Sequence, residues 1–138
     1  MIEIVSATRL DPDRFWKEAP LGQSLQRMTK EGRIKAWIAF ENTLGLPTIY
    51  NQRLNAPDSA DVILFVHDDV WIDDFFIVDR VLEASRRYDL FGVVGNSRCL
   101  PLQPSWAFTD TSGTWDQSEN LRGAIAHLLQ FCRNEQGR

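Results

Sequence analysis

The chain is poor in the residues on which several chemistries depend. It has only two cysteines and two histidines. Cys99 and Cys132 show no CxxC spacing and no histidine cluster, which argues against a zinc ribbon or a redox pair and reads as buried or idle thiols. GxGxxG, P-loop and HExxH patterns are missing, and so is the GxSxG elbow of a serine hydrolase. An excess of basic residues is missing too: the net charge is −4, which leaves no basic face for nonspecific nucleic-acid binding. A local basic pocket for phosphate is still allowed. No apolar run reaches the roughly 20 residues of a membrane span. Met1-Ile2-Glu3-Ile4-Val5 enters a strand pattern directly, without a basic-then-apolar leader, so a cytoplasmic protein is expected. Internal repeats and low-complexity tracts are absent as well.

What is present suits one compact domain over residues 1–138. A hydrophobic share of 43% beside 25% charged residues is that of a globular chain with a core. The most informative stretch is Val62-Ile63-Leu64-Phe65-Val66-His67-Asp68-Asp69-Val70. A short apolar run rich in β-branched and aromatic residues reads as a buried strand. It stops at a histidine and two acids, where an α/β sheet presents its ligand-binding rim. Hard cations such as Mg²⁺ or Mn²⁺ take carboxylate oxygens and bridge to phosphates. The structural alternative is that Asp68 and Asp69 open a loop and help cap the next helix.

Along the chain, Ile2 to Ala7 reads as a first strand, followed by the turn formers Thr8 to Asp13. Asp13 is expected to cap a short helix through Lys17 that ends before Pro20. Ser24 to Lys30 reads as another helical turn, Arg33 to Phe40 as a second strand, Glu41 to Pro47 as a loop and Thr48 to Leu54 as a helix. Val62 to Val66 is the third strand. A helix is expected from Asp73-Asp74, with Phe75, Val78, Leu82 and Ser85 on one face and Arg86-Arg87 in its last turn. Leu90 to Val94 reads as a fourth strand and 97–119 as a long loop with Trp106, Phe108 and Trp115 folded onto the core. Leu121, Ile125, Leu128, Leu129 and Cys132 have helical spacing, with Ser118 as cap. Residues 134–138 form a frayed tail. The βαβαβαβ order predicts an α/β fold: a three-layer, mostly parallel sheet with helices on both faces.

Right-handed crossovers bring the loops after strands one, two and three to the same edge. They offer Thr8-Arg9, Glu41-Asn42 and His67-Asp68-Asp69. Arg9 can pair with phosphate, and Glu41 or Asn42 can hydrogen-bond a base or ribose; the structural alternative, favoured for each taken singly, makes Arg9 a surface charge and Asn42 a turn residue. In an extended chain residues 67 and 69 share one side and Asp68 takes the other. That alternation makes His67 with Asp69 the expected functional pair, Asp69 holding the metal and His67 a metal ligand or nucleotide contact; the structural alternative for His67 is a hydrogen-bonded core residue. His127 stands alone and reads as structural.

At these residues the chain resembles a GT-A fold glycosyltransferase of the family 2 type, in the subgroup with a histidine in its DxD-type metal motif. The matching stretches are Ser6-Ala7-Thr8-Arg9, Gly45-Leu46-Pro47-Thr48-Ile49-Tyr50-Asn51, Leu64-Phe65-Val66-His67-Asp68-Asp69-Val70, Gly92-Val93-Val94-Gly95-Asn96 and Gln103-Pro104-Ser105-Trp106. The resemblance implies transfer of a sugar from a nucleotide-diphosphate donor, a UDP-sugar, to an unknown acceptor, with Mn²⁺ or Mg²⁺ as cofactor. It implies that His67-Asp68-Asp69 replaces the DxD triplet and that Asp69 holds the metal. His67 would contact ribose or metal, Thr8 and Arg9 the base, Asn42 the uracil or ribose, and Asn51 would lie in the following helix. It also implies an acceptor half that supplies a base carboxylate. Asp110 and Asp116 lie in loop sequence and are weak candidates for that base, so a donor half is expected here. The alternative is a non-catalytic nucleotide-sugar-binding module or a truncated remnant. An apolar surface left open where an acceptor half would dock would favour a homo-oligomer.

Overall fold

A computed structural model describes residues 1–28, 31–123, 125–127 and 130–132. Its contacts divide the chain into two compact units, Met1–Asp89 and Leu90–Arg138. The first is an α/β unit built on three parallel strands, β1 (Ile2–Ala7), β2 (Ile34–Ala39) and β3 (Ile63–Phe65), in the order β2-β1-β3. Its helices are α1 (Pro12–Glu18), α2 (Pro20–Arg27), α3 (Leu46–Leu54) and α4 (Ile77–Ser85).

The central strand carries the core. Ile2 to Ser6 are all buried, because β1 has a strand on each side and helices packed against it. Its even-numbered residues meet α1, α2 and α4: Ile4 packs with Phe15, Leu21, Leu25 and Val66, and Ile2 with Val78 and Val81. Each such side chain contributes about 1.5–3 kcal/mol on burial. Among the odd-numbered residues, Glu3 meets Arg53 of α3 at 2.9 Å. Strand three is shorter than expected and, as an edge strand, is not fully buried; Phe65 is partly exposed and stacks on Tyr50 at 4.2 Å.

The helix starts depart from the local expectations in instructive ways. Asp11, not Asp13, caps α1, accepting from the Arg14 N–H at 2.9 Å. Pro12 and Pro20 each open a helix rather than ending one, since a residue without an N–H costs nothing in a first turn. Ala19 closes α1 and begins α2. Pro47 likewise lies in the first turn of α3, which therefore starts at Leu46 and not Thr48. Helix α4 begins at Ile77, not Asp73. The Asp74 carboxylate accepts from the Phe76 N–H at 2.9 Å; such a local bond competes with helix formation, and Phe75 is left 88% exposed.

Leu90 to Val94 is not a strand; β4 is Gly95–Asn96 and pairs antiparallel with β5 (Leu121–Arg122). The expected helix over residues 121–132 is also overturned. Gly123 has φ +86°, a left-handed geometry that breaks a helix, and β6 (Ile125–His127) pairs antiparallel with β7 (Gln130–Cys132). Among the described residues, parallel pairing is confined to β1, β2 and β3, and the later strands form antiparallel pairs. Phe108 and Trp115 form an isolated antiparallel bridge within the long loop, their rings 5.1 Å apart, and Trp115 is exposed rather than folded onto the core. Cys99 is free and exposed rather than buried. The frayed tail expected at 134–138 lies outside the described residues, as do Leu128 and Leu129.

Candidate functional site

The loops after the three parallel strands enclose one cavity of about 930 Å³ at their carboxyl ends. Thr8, Arg9, Glu41, Asn42, His67 and Asp68 line it. It therefore brings together six residues that the sequence pointed to, drawn from three separate loops. Asn51 and Asp69 are exposed and lie outside its wall. The alternation that paired His67 with Asp69 needs an extended chain. The strand ends at Phe65, and the chain then turns, with the Val70 N–H donating to the His67 carbonyl at 3.2 Å. Asp68, the residue assigned to the opposite side, is the acid of this motif that lines the wall.

The first two loops are laced together by backbone bonds. The Thr8 N–H donates to Ala39 O at 3.0 Å, the Asn42 N–H to Thr8 O at 2.8 Å, and the Glu41 N–H to Leu10 O at 3.0 Å. Thr8 is buried, and its hydroxyl accepts from the Leu10 N–H at 3.2 Å, so it braces the rim from within. The Asn42 side chain is likewise occupied: its amide group bonds Leu44 in both directions, at 2.8 and 3.0 Å. Glu41 sits at φ +48°, a left-handed conformation unusual for a residue with a side chain. Glu41 is exposed and lines the cavity.

Ala7, Leu10, Thr43, Leu44, Gly45 and Leu46 complete that wall, and none of them was expected to be a site residue. Gly45 and Leu46 are the start of α3, whose N-terminus has no side-chain cap. Such an end favours negative charge. The residues of the wall include one arginine, Arg9, and two acids, Glu41 and Asp68.

Among the described residues, no group of three or more His, Cys, Asp or Glu side chains is arranged to hold a metal ion. The protein atoms alone do not make a metal cage here. A Mg²⁺ or Mn²⁺ ion carried on phosphates needs only one or two protein carboxylates, and the wall holds two acidic residues, Glu41 and Asp68.

In the second unit Asp116 is buried, and both its oxygens are engaged. Oδ2 accepts from Asn96 Nδ2 at 2.7 Å and Arg98 Nε at 2.9 Å; Oδ1 accepts from Arg98 Nη2, from the Gln117 N–H at 2.7 Å and from Asn120 Nδ2 at 3.1 Å. The Arg98 guanidinium holds this carboxyl well below the usual range, against the opposing effect of burial. Asp110 is held at about 2 by the Ser112 and Thr114 hydroxyls and backbone N–H groups. Both acids serve as anchors for loop structure.

No family of known proteins, no curated protein and no solved structure matches this chain. Among the described residues no helix is long and apolar enough to cross a membrane.

Proposed function

We propose that the cavity binds a nucleotide-diphosphate sugar, a UDP-sugar, and that the first unit is the donor-binding half of a three-layer GT-A-type fold. The protein would then be a glycosyltransferase acting on an acceptor of unknown identity. The observation that carries this reading is the convergence of the three post-strand loops on one cavity, the position at which α/β sheets take ligands. Arg9 is the phosphate partner, as the one guanidinium of that wall. Glu41 is the partner of ribose or base. Asp68, beside His67, faces the diphosphate, and its charge calls for a Mn²⁺ or Mg²⁺ ion arriving with the phosphates.

A second reading, a nucleotide-sugar-binding module without catalysis, is favoured by the commitment of Asp116 to Asn96, Arg98 and Asn120. An acid so engaged is a poor general base.

A thermal-shift series with UDP, UDP-sugars and other nucleotides, with and without Mn²⁺, tests the binding claim. Saturation at a hundredfold excess over Kd stabilises by about 2.7 kcal/mol, and Arg9→Ala should abolish the shift. No shift with any nucleotide would overturn the reading. Release of UDP in the presence of candidate acceptors separates the transferase from the binding module.

A further inference from the structure

We propose that α2 sets the reach of His67 and Asp68 into the cavity and that Ser24 is the positioning residue; this rests on the nucleotide-sugar reading of that cavity. From Val66 to Phe76 the chain has no regular structure. Such a segment is mobile unless it is tied down. Here it is tied along one row of α2, at residues three apart that share a side of the helix. The Leu21 N–H donates to the Asp68 carbonyl at 3.1 Å. The Ile72 N–H donates to Ser24 Oγ at 3.0 Å, and that hydroxyl in turn donates a hydrogen bond to Pro20 O at 2.8 Å. The Arg27 guanidinium lies 4.3 Å over the Trp71 ring and 3.7 Å from the Asp73 carboxylate.

Two features set this apart from ordinary packing. The Leu21 N–H is one of the donors that a helix start leaves without an internal partner, and it is spent on the backbone of a residue in the cavity wall. Ser24 is fully buried beside Leu21 and Leu25, where alanine would pack as well and suit a helix better. Its hydroxyl is needed only by the loop.

The test uses the full chain, with UDP plus Mn²⁺ as the probe and amide exchange as a ligand-free readout. Ser24→Ala should speed exchange at Ile72 and weaken UDP binding, each about tenfold, the effect of one buried donor left unpaired, while the β1 amides stay protected. Arg27→Ala, at the exposed end of the row, should weaken binding in the same direction without touching the core. Val81→Ala, a core truncation in α4, should lower Tm and leave UDP affinity unchanged. Wild-type affinity in both Ser24→Ala and Arg27→Ala overturns the proposal and leaves the nucleotide reading standing. An affinity loss in Val81→Ala that matches its loss of Tm overturns it too, by showing that general destabilisation suffices. If the unsubstituted chain binds no UDP, the nucleotide reading fails, and this inference falls with it.

Discussion

Asn42 and Leu44 bond each other in both directions: the Asn42 amide nitrogen donates to Leu44 O at 2.8 Å, and the Leu44 N–H donates to Asn42 Oδ1 at 3.0 Å. A side chain so occupied shapes the rim rather than reading a ligand. Asn42→Ala should therefore cost about 1 kcal/mol of stability and weaken UDP binding together. Asn42→Asp keeps the acceptor, loses the donor, and should fall between. Urea denaturation and calorimetry on the same samples check this. Weaker binding at unchanged stability would instead mark Asn42 as a direct contact.

Glu41 stores strain at the mouth of the cavity. Its φ of +48° costs a residue with a Cβ about 1–2 kcal/mol, which glycine does not incur. Glu41→Gly should be more stable than Glu41→Ala by about 1 kcal/mol, and both should bind UDP-sugars more weakly than the natural chain. Equal melting temperatures for the two variants would contradict the strained geometry.

Glu3 makes the folded state sensitive to acid. Burial alone would push its carboxyl up, but the ion pairs with Arg53 and Lys35 and a hydrogen bond from the Ala60 N–H hold it below its ordinary 4.5. Arg53 and Lys35 also hold Asp58 at about 2. Both acids stay ionised in the folded chain at pH values where the unfolded chain takes up protons. Their stabilisation is complete above the ordinary carboxylate range and is lost as pH falls from about 4.5 towards 2. Glu3→Gln should lower stability at neutral pH by less than about 3 kcal/mol, because Asp58 still faces Arg53. It should also flatten the acid limb of a stability curve measured between about pH 5 and pH 2. Parallel curves for the two proteins would show that Glu3 is not the titrating group.

Gly22 lets α1 and α2 approach. A Cβ there would stand 2.2 Å from the Phe15 carbonyl oxygen, backbone that cannot swing aside. Gly22→Ala should cost about 1–3 kcal/mol and, by displacing α2, loosen the Leu21–Asp68 bond. Thermal unfolding measures the first effect, and exchange at the Leu21 amide the second. A variant as stable as the natural chain would mean that the two helices separate freely.

Much of the first unit was legible because its signals are local. The apolar run Ile2 to Ala7 marked the central strand, and Arg33 to Phe40 overlapped the second. The turn chemistry after each strand marked the three loops that meet at the cavity. The misreadings share a cause: their deciding partner was distant or ambiguous in sequence. Pro12, Pro20 and Pro47 punctuate a chain equally well at a helix start and after a helix end. Leu121 to Cys132 has helical spacing, but Gly123 takes a left-handed geometry, and β5, β6 and β7 find strand partners.

Residue order alone determined which short segments are apolar, where each one stops, and which polar residues follow the strand ends, since these rest on side-chain chemistry and near neighbours. Only the tertiary structure decided that Asp68 rather than Asp69 faces the cavity and that Asn42 is spent on Leu44. It also decided that Ser24 holds the loop beyond β3. Each of these turns on a backbone bend or a partner brought in through space, and a bend of one residue reverses the side to which every following side chain points.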